Sequence, residues 1–131
     1  MSRALLVAQV PTGPHAGFWS PSLLAYEEHP FPESSSTGFF VSGLAFGVRT
    51  GRLNSPEYLL AAQRGWTALL SAQLPDGRIG WTQQIGAEPD SVKETDTQLY
   101  STGAFLKAAA EMLKLACTGE LVTGALPALC C

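Results

Sequence analysis

Pro32-Glu33-Ser34-Ser35-Ser36-Thr37-Gly38-Phe39-Phe40 and Glu94-Thr95-Asp96-Thr97-Gln98-Leu99-Tyr100-Ser101-Thr102-Gly103-Ala104-Phe105 are two renderings of one phrase. Ser-Thr-Gly-x-Phe recurs after 65 positions, with Ser36 matching Ser101. Each rendering is an acidic, hydroxyl-rich lead-in to an apolar run. Each follows a Gly-rich turn that ends in tryptophan, Gly17-Phe18-Trp19 and then Gly77-Arg78-Ile79-Gly80-Trp81. A repeated unit of turn, polar lead-in and apolar helix predicts a helical array or toroid.

Outward from the phrase, the periodicity predicts three long helices. The first begins near Ser34 or Ser35, with a serine as N-cap, and runs to about Thr50. Phe39, Phe40, Leu44, Phe46 and Val48 surround it, so it reads as buried all round. Gly43, Gly47 and Gly51 recur every four residues and suggest close approach of a neighbouring helix. Ser55-Pro56-Glu57 starts the second helix, which runs to about Gln73. Its expected inner face is Leu59, Ala62, Trp66, Leu69 and Leu70, with Gln63, Arg64 and Thr67 turned away. The third runs from near Thr97 to about Leu115. Its expected face is Leu99, Gly103, Leu106, Ala110 and Leu113, widened by Phe105, Ala109 and Met112. Lys107, Glu111 and Lys114 form a charged strip, with Lys107 and Glu111 at i,i+4. Residues 4–10 read as the last turns of a further helix, stopped by Pro11, Gly13 and Pro14. Trp19–Leu24 and Gly80–Ile85 read as short strands, and Gly86–Glu94 as a polar loop.

Composition narrows the class. Hydrophobic residues at 46% and charged residues at 15% fit one globular domain over residues 1–131. The net charge of −3 and the lack of a basic patch argue against a nucleic-acid partner. The N-terminal apolar stretch is short and broken by Gln9. No run approaches the ~18 residues of a membrane span. The expectation is therefore a cytoplasmic protein with no membrane partner. Cys117, Cys130 and Cys131 make neither a disulfide framework nor a zinc site, and no metal is expected.

The residues that carry chemistry gather at the two lead-ins. Glu33 and Ser34, with Ser35, come from the first. Asp96, Thr97, Gln98 and Tyr100, with Glu94, come from the second. Helix N-termini suit sugar hydroxyls and carboxylates, and Trp19 and Trp81 stand where a ring would stack on a sugar. The candidate substrate-binding set is thus Trp19, Glu33, Ser34, Trp81, Asp96, Thr97, Gln98 and Tyr100. The same residues also read as helix caps and core. Glu33 and Asp96 are the one equivalently placed acid pair of the kind a glycosidase uses. His15 and His29 lie in the N-terminal loop and read as surface residues. No Ser-His-Asp, HExxH or phosphate-loop pattern occurs.

The chain resembles the C-terminal part of the unsaturated glucuronyl and rhamnogalacturonyl hydrolases, glycoside hydrolase families 88 and 105, and family 105 most closely. The resemblance rests on Gly17-Phe18-Trp19, Ser22-Leu23-Leu24, the first phrase, Gly43-Leu44-Ala45-Phe46-Gly47 and Gly51-Arg52-Leu53. It continues through Trp66, Pro75-Asp76-Gly77-Arg78-Ile79-Gly80, Gln83, Asp96-Thr97-Gln98-Leu99-Tyr100 and Gly103-Ala104-Phe105-Leu106. It covers residues 17–115 and leaves 116–131 as an atypical tail.

The resemblance implies an all-α fold, part of an (α/α)6 toroid of helical hairpins with short β-like segments in the loops. It implies an unsaturated oligosaccharide as partner, such as those derived from pectin, and no cofactor. In such enzymes an aspartic acid protonates the C4=C5 enol ether of a 4,5-unsaturated uronic acid, water adds at C5, and the hemiketal collapses. The family's aspartate and its Trp-Ala-Arg-Gly-Asn-Gly-Trp stretch have no counterpart in this sequence. No residue is therefore assigned as catalytic, and the chain alone is expected to be an inactive fragment. Its uncovered helix faces would favour a homo-oligomer. The alternatives are a non-catalytic carbohydrate-binding module and a helical protein-interaction module.

Overall fold

A computed structural model describes residues 2–54, 56–86 and 88–119. Among these residues four helices follow one another: α1 (Ser2–Ala8), α2 (Ser34–Arg49), α3 (Pro56–Ser71) and α4 (Leu99–Cys117). Each lies within a few residues of its expected place. Among the described residues there is no strand. The segment from Trp19 contributes one antiparallel bridge, Trp19 to Glu33, and Ile79 bridges to Gln73. The two expected strands are thus irregular chain.

Helix α2 is capped by the acid that precedes its serines. Glu33 is extended, with φ −134° and ψ 111°, and its carboxylate accepts from the Ser35 and Ser36 amides. A carboxylate at this position also favours the positive end of the helix dipole. The expected serine cap is therefore a glutamate cap. Ser34 is the first helical residue and is fully buried.

Helix α2 packs against both α3 and α4 around Trp19, Val41, Leu44, Leu69, Met112 and Leu115. The close approaches do not use the Gly43–Gly47–Gly51 stripe. Gly43 faces open space, Gly47 seats the Leu53 side chain, and Gly51 turns the chain with φ +69°. Two other glycines do the work. Gly38 lies against Ala104 of α4, and Gly65 of α3 lies against Val41 and Trp19.

This packing decides which faces are inner. In α4 the buried side is Ser101, Ala104, Ala108, Met112 and Leu115. The expected face is turned outward, with Leu99, Leu106 and Leu113 at 91%, 61% and 40% exposure. Apolar periodicity alone does not choose between two adjacent faces of one helix. The alanine side is inner because it allows α2 to approach closely at Gly38. Likewise Phe39 and Phe46 leave α2 open on one side, and Leu70 points outward from α3. The charged strip pairs differently too. Glu111 bonds Lys114 at 2.8 Å and Arg49 of α2 at 2.9 Å, while Lys107 lies over the Phe39 ring.

No helix among the described residues is long and apolar enough to cross a membrane. Of the expected tail, 116–131, the first two residues are the end of α4, which runs to Cys117, and residues 120–131 lie outside the described residues.

Candidate functional site

The two phrases meet at the N-terminal ends of α2 and α4. Glu33 organises the first. Besides the Ser35 and Ser36 amides, its carboxylate accepts the Ser35 hydroxyl at 2.9 Å. It also accepts the Gln83 amide, 50 residues away in sequence, at 3.3 Å. Glu33 is buried and fully engaged with donors of this chain.

The segment after the second turn is docked onto that helix end. The Ser34 amide donates to the Trp81 carbonyl at 2.8 Å, and the Ser34 and Thr82 hydroxyls share a bond of 3.0 Å. The Thr82 amide donates to the Asp96 carbonyl at 2.9 Å. Tyr100, in the first turn of α4, donates its hydroxyl to the Gln83 carbonyl. Both backbone polar groups of Gln83 are therefore held by side chains, one from each phrase. Trp81 adopts φ 54°, a left-handed conformation uncommon for a bulky residue. Such backbone persists only where its surroundings over-determine it.

Between these elements lies a shallow, open concavity of about 260 Å³, lined by Pro21, Glu33, Ser35, Ser36, Gln83, Gln84, Ile85, Gly86 and Tyr100. Gln98 joins it at one side, donating its amide to the Gln84 side-chain carbonyl. The wall offers hydroxyls and amides, one carboxylate and one aromatic ring. Burial, and then the charge of Glu33, raise the Tyr100 phenol above its ordinary value.

The candidate residues separate into two groups. Glu33 and Tyr100 line the cavity, and Gln98 reaches it through Gln84. The others lie behind it or beside it. Trp19 is fully buried, donates its indole N–H to the Leu5 carbonyl at 2.8 Å, and packs edge-on to Phe40, so its ring is out of reach of any ligand. Ser34 is equally buried. Trp81 packs beside the Phe18, Ala68 and Ile79 cluster, with His15 edge-on at 5.0 Å. Asp96 accepts the Lys93 amide at 2.9 Å, and Thr97 accepts from Arg78 at 3.2 Å. Asp96 is absent from the cavity lining, so the wall does not present Glu33 and Asp96 as a facing acid pair.

Ser36, Gln84 and the Pro21 and Ile85 flanks are additional wall residues. The two consecutive amides after Trp81 were the available signal. Among the described residues no group of three or more His, Cys, Asp or Glu is placed to hold a metal ion.

The family model described as Glycosyl Hydrolase Family 88 matches residues 4–116. The chain is 46% identical over 97 residues to the unsaturated 3S-rhamnoglycuronyl hydrolase of Alteromonas sp. (strain LOR), covering 74% of this chain and 24% of that protein. It is 43% identical over 102 residues to the protein of the same name from Formosa agariphila, covering 78% and 27%. Among solved structures, a glycosyl hydrolase family 88 protein from Bacteroides vulgatus superposes with a TM-score of 0.77 at 31% identity, over 88% of this chain and 33% of the other. A polysaccharide lyase superposes with a TM-score of 0.76 at 34% identity, over 94% and 34%. The chain thus spans about a quarter of the curated relatives and a third of the solved structures. With its four helices it has the fold of part of an (α/α)6 toroid, and it belongs to glycosyl hydrolase family 88.

Proposed function

We propose that this chain supplies one wall of the substrate pocket of an unsaturated glycuronyl hydrolase. The substrate is an oligosaccharide ending in a 4,5-unsaturated uronic acid, as polysaccharide lyases produce from pectin and similar glycans. The reaction is protonation of the C4=C5 bond, addition of water at C5, and collapse of the hemiketal with release of the aglycone. The proton donor must be a carboxylic acid held protonated near neutral pH. The oxygens of Glu33 are taken up by bonds from Ser35, Ser36 and Gln83, so Glu33 is assigned to holding the wall and not to proton donation. In this reading the chain contributes binding and no acid.

The observation that carries the reading is the grip of Glu33 and Tyr100 on the two backbone groups of Gln83. It ties the family's two phrases into one rigid concave surface. On that surface Tyr100, Gln84, Gln98, Ser35 and Ser36 are the groups assigned to sugar hydroxyls, and Glu33 positions them. Trp19, Ser34, Trp81, Asp96 and Thr97 are assigned to holding the wall in shape. Calorimetric titration with an unsaturated disaccharide tests the assignment. Binding is expected, weakened about tenfold, or about 1.4 kcal/mol, by Gln84→Ala. A chain that folds and does not bind the disaccharide overturns it.

The outward apolar residues Leu99, Leu106 and Leu113 of α4 and Phe39 and Phe46 of α2 support self-association of the isolated chain. Sedimentation velocity should give a mass above 13.9 kDa, reduced toward the monomer by Leu106→Glu. A monomer at all concentrations contradicts this second proposal.

A further inference from the structure

Helix α4 carries a second apolar stripe that no element among the described residues covers. Leu99, Gly103, Leu106, Ala110 and Leu113 are all exposed and lie four, three, four and three residues apart. That is the 3.5-residue spacing of a helix–helix seam, and it runs most of the length of α4. An added methyl group at Gly103 would meet open space. A partner helix can therefore come as near on this side as α2 comes at Ala104 on the other. Helix α2 also has a free side. Phe39, Gly43 and Phe46 are exposed at the same four-and-three spacing, and Gly43 leaves a notch between the two rings. Lys107 and Glu111 border that side.

The internal repeat says which seam meets which. Helices α2 and α4 follow the two renderings of one phrase, lie side by side with their N-terminal ends together, and have α3 packed behind them. The α4 stripe faces away from α2, where the next helix of the series would stand. An (α/α)6 toroid has six such inner helices. This chain holds two, and it spans 33% and 34% of the two solved relatives.

We infer that three copies of this chain associate head to tail into a closed ring, with the α4 stripe of one copy seated on the Phe39, Gly43 and Phe46 side of α2 in the next. A heterologous contact closes into a ring when its rotation divides the full turn, and two inner helices out of six give a third of a turn per copy. Closure sets six phrase-bearing helix ends around one opening, so each wall faces those of two other copies and the pocket is shared. The inference rests on the proposed self-association of the chain and adds its symmetry and its two contact faces.

Sedimentation equilibrium of the 131-residue chain tests it. The limiting mass should be three times 13.9 kDa, with no further growth at higher concentration. Leu106→Glu blocks the α4 stripe. Gly43→Arg blocks the α2 side, at a position where an added side chain meets nothing within 4 Å. Each variant alone should be a monomer with unchanged helical circular dichroism. Mixed in equal amounts, the two should form a dimer, because the intact α2 side of one meets the intact α4 stripe of the other. A dimer of the unaltered chain that survives Gly43→Arg means that α4 pairs with α4; it overturns the ring and leaves self-association standing. A mass that keeps growing with concentration overturns closure. A monomer at all concentrations overturns both the ring and the self-association.

Discussion

Gly38 of α2 lies directly against Ala104 of α4: a methyl group added at Gly38 would come within 2.8 Å of the Ala104 carbonyl carbon and 2.9 Å of its side chain. This contact sets how close the two phrase-bearing helices run, and so how wide the wall at their N-termini is. Backbone on the far side cannot yield cheaply. Gly38→Ala should therefore destabilise by about 2 kcal/mol, in the range of overpacked cores, despite the better helix propensity of alanine. Gly103, the repeat equivalent of Gly38, faces open space. Gly103→Ala should gain about 1 kcal/mol. Urea midpoints of the two variants check both signs.

Glu33 is both a helix cap and a cross-link. Glu33→Ala removes acceptors from the Ser35, Ser36 and Gln83 amides at once. Loss of the cap alone costs about 1 kcal/mol, and the orphaned Gln83 amide adds a similar amount. Stability should fall by about 2 kcal/mol. Hydrogen exchange should accelerate at Ser36 and Gln83 more than at mid-helix amides of α2. Uniform acceleration along α2 would contradict the local role.

The Glu111 carboxyl is held below the ordinary glutamate range, first by its bond from Lys114 and then by Arg49, against an opposing desolvation effect. A depressed carboxyl stabilises the fold above its unfolded value, about 4.3, and loses that contribution as pH falls through the lower folded value. The difference in urea midpoint between the protein and Glu111→Gln should be constant from pH 5 to 7. It should close as the pH is lowered below about 4. A difference that persists unchanged at acid pH would show that the ion pairs contribute nothing.

Tyr100 should ionise later than a free tyrosine. Burial is the larger cause and the charge of Glu33 the second. Of the three tyrosines, one should titrate above about pH 10 in the ultraviolet spectrum and vanish in Tyr100→Phe. Its titration should move part of the way back in Glu33→Gln. Because the folded state holds this proton more tightly, its contribution to stability is present below pH ~10 and lost as the pH rises through the raised value.

The helix order, the close equivalence of the two phrases and their meeting at one end were legible in the residues. Proline and serine at Ser55-Pro56 and the polar lead-ins mark helix starts whatever the tertiary context. The orientation of α4 was not legible. Leu99, Leu106 and Leu113 outrank Ala104 and Ala108 in hydrophobicity, yet the alanines are inside because close approach of α2 needs small groups on both helices. The depth of the two tryptophans was not legible, because it depends on packing. Trp19 is consumed by the core contact with Phe40 and the Leu5 carbonyl, while Trp81 sits beside His15. Gln84 escaped notice because the Gln83-Gln84 pair reads equally well as the polar part of a short strand; only the fold brings it to Glu33, Ser36 and Tyr100.

The central claim, that this chain holds substrate and lacks the acid, is tested most directly by the ultraviolet absorbance of the C4=C5 bond. The purified 131-residue chain is incubated with an unsaturated disaccharide at several pH values between 5 and 8. The account predicts an absorbance indistinguishable from that of buffer over hours, under conditions where calorimetry records binding. A steady loss of absorbance proportional to the concentration of the chain, abolished by substitution of one of its own carboxylates, would contradict it.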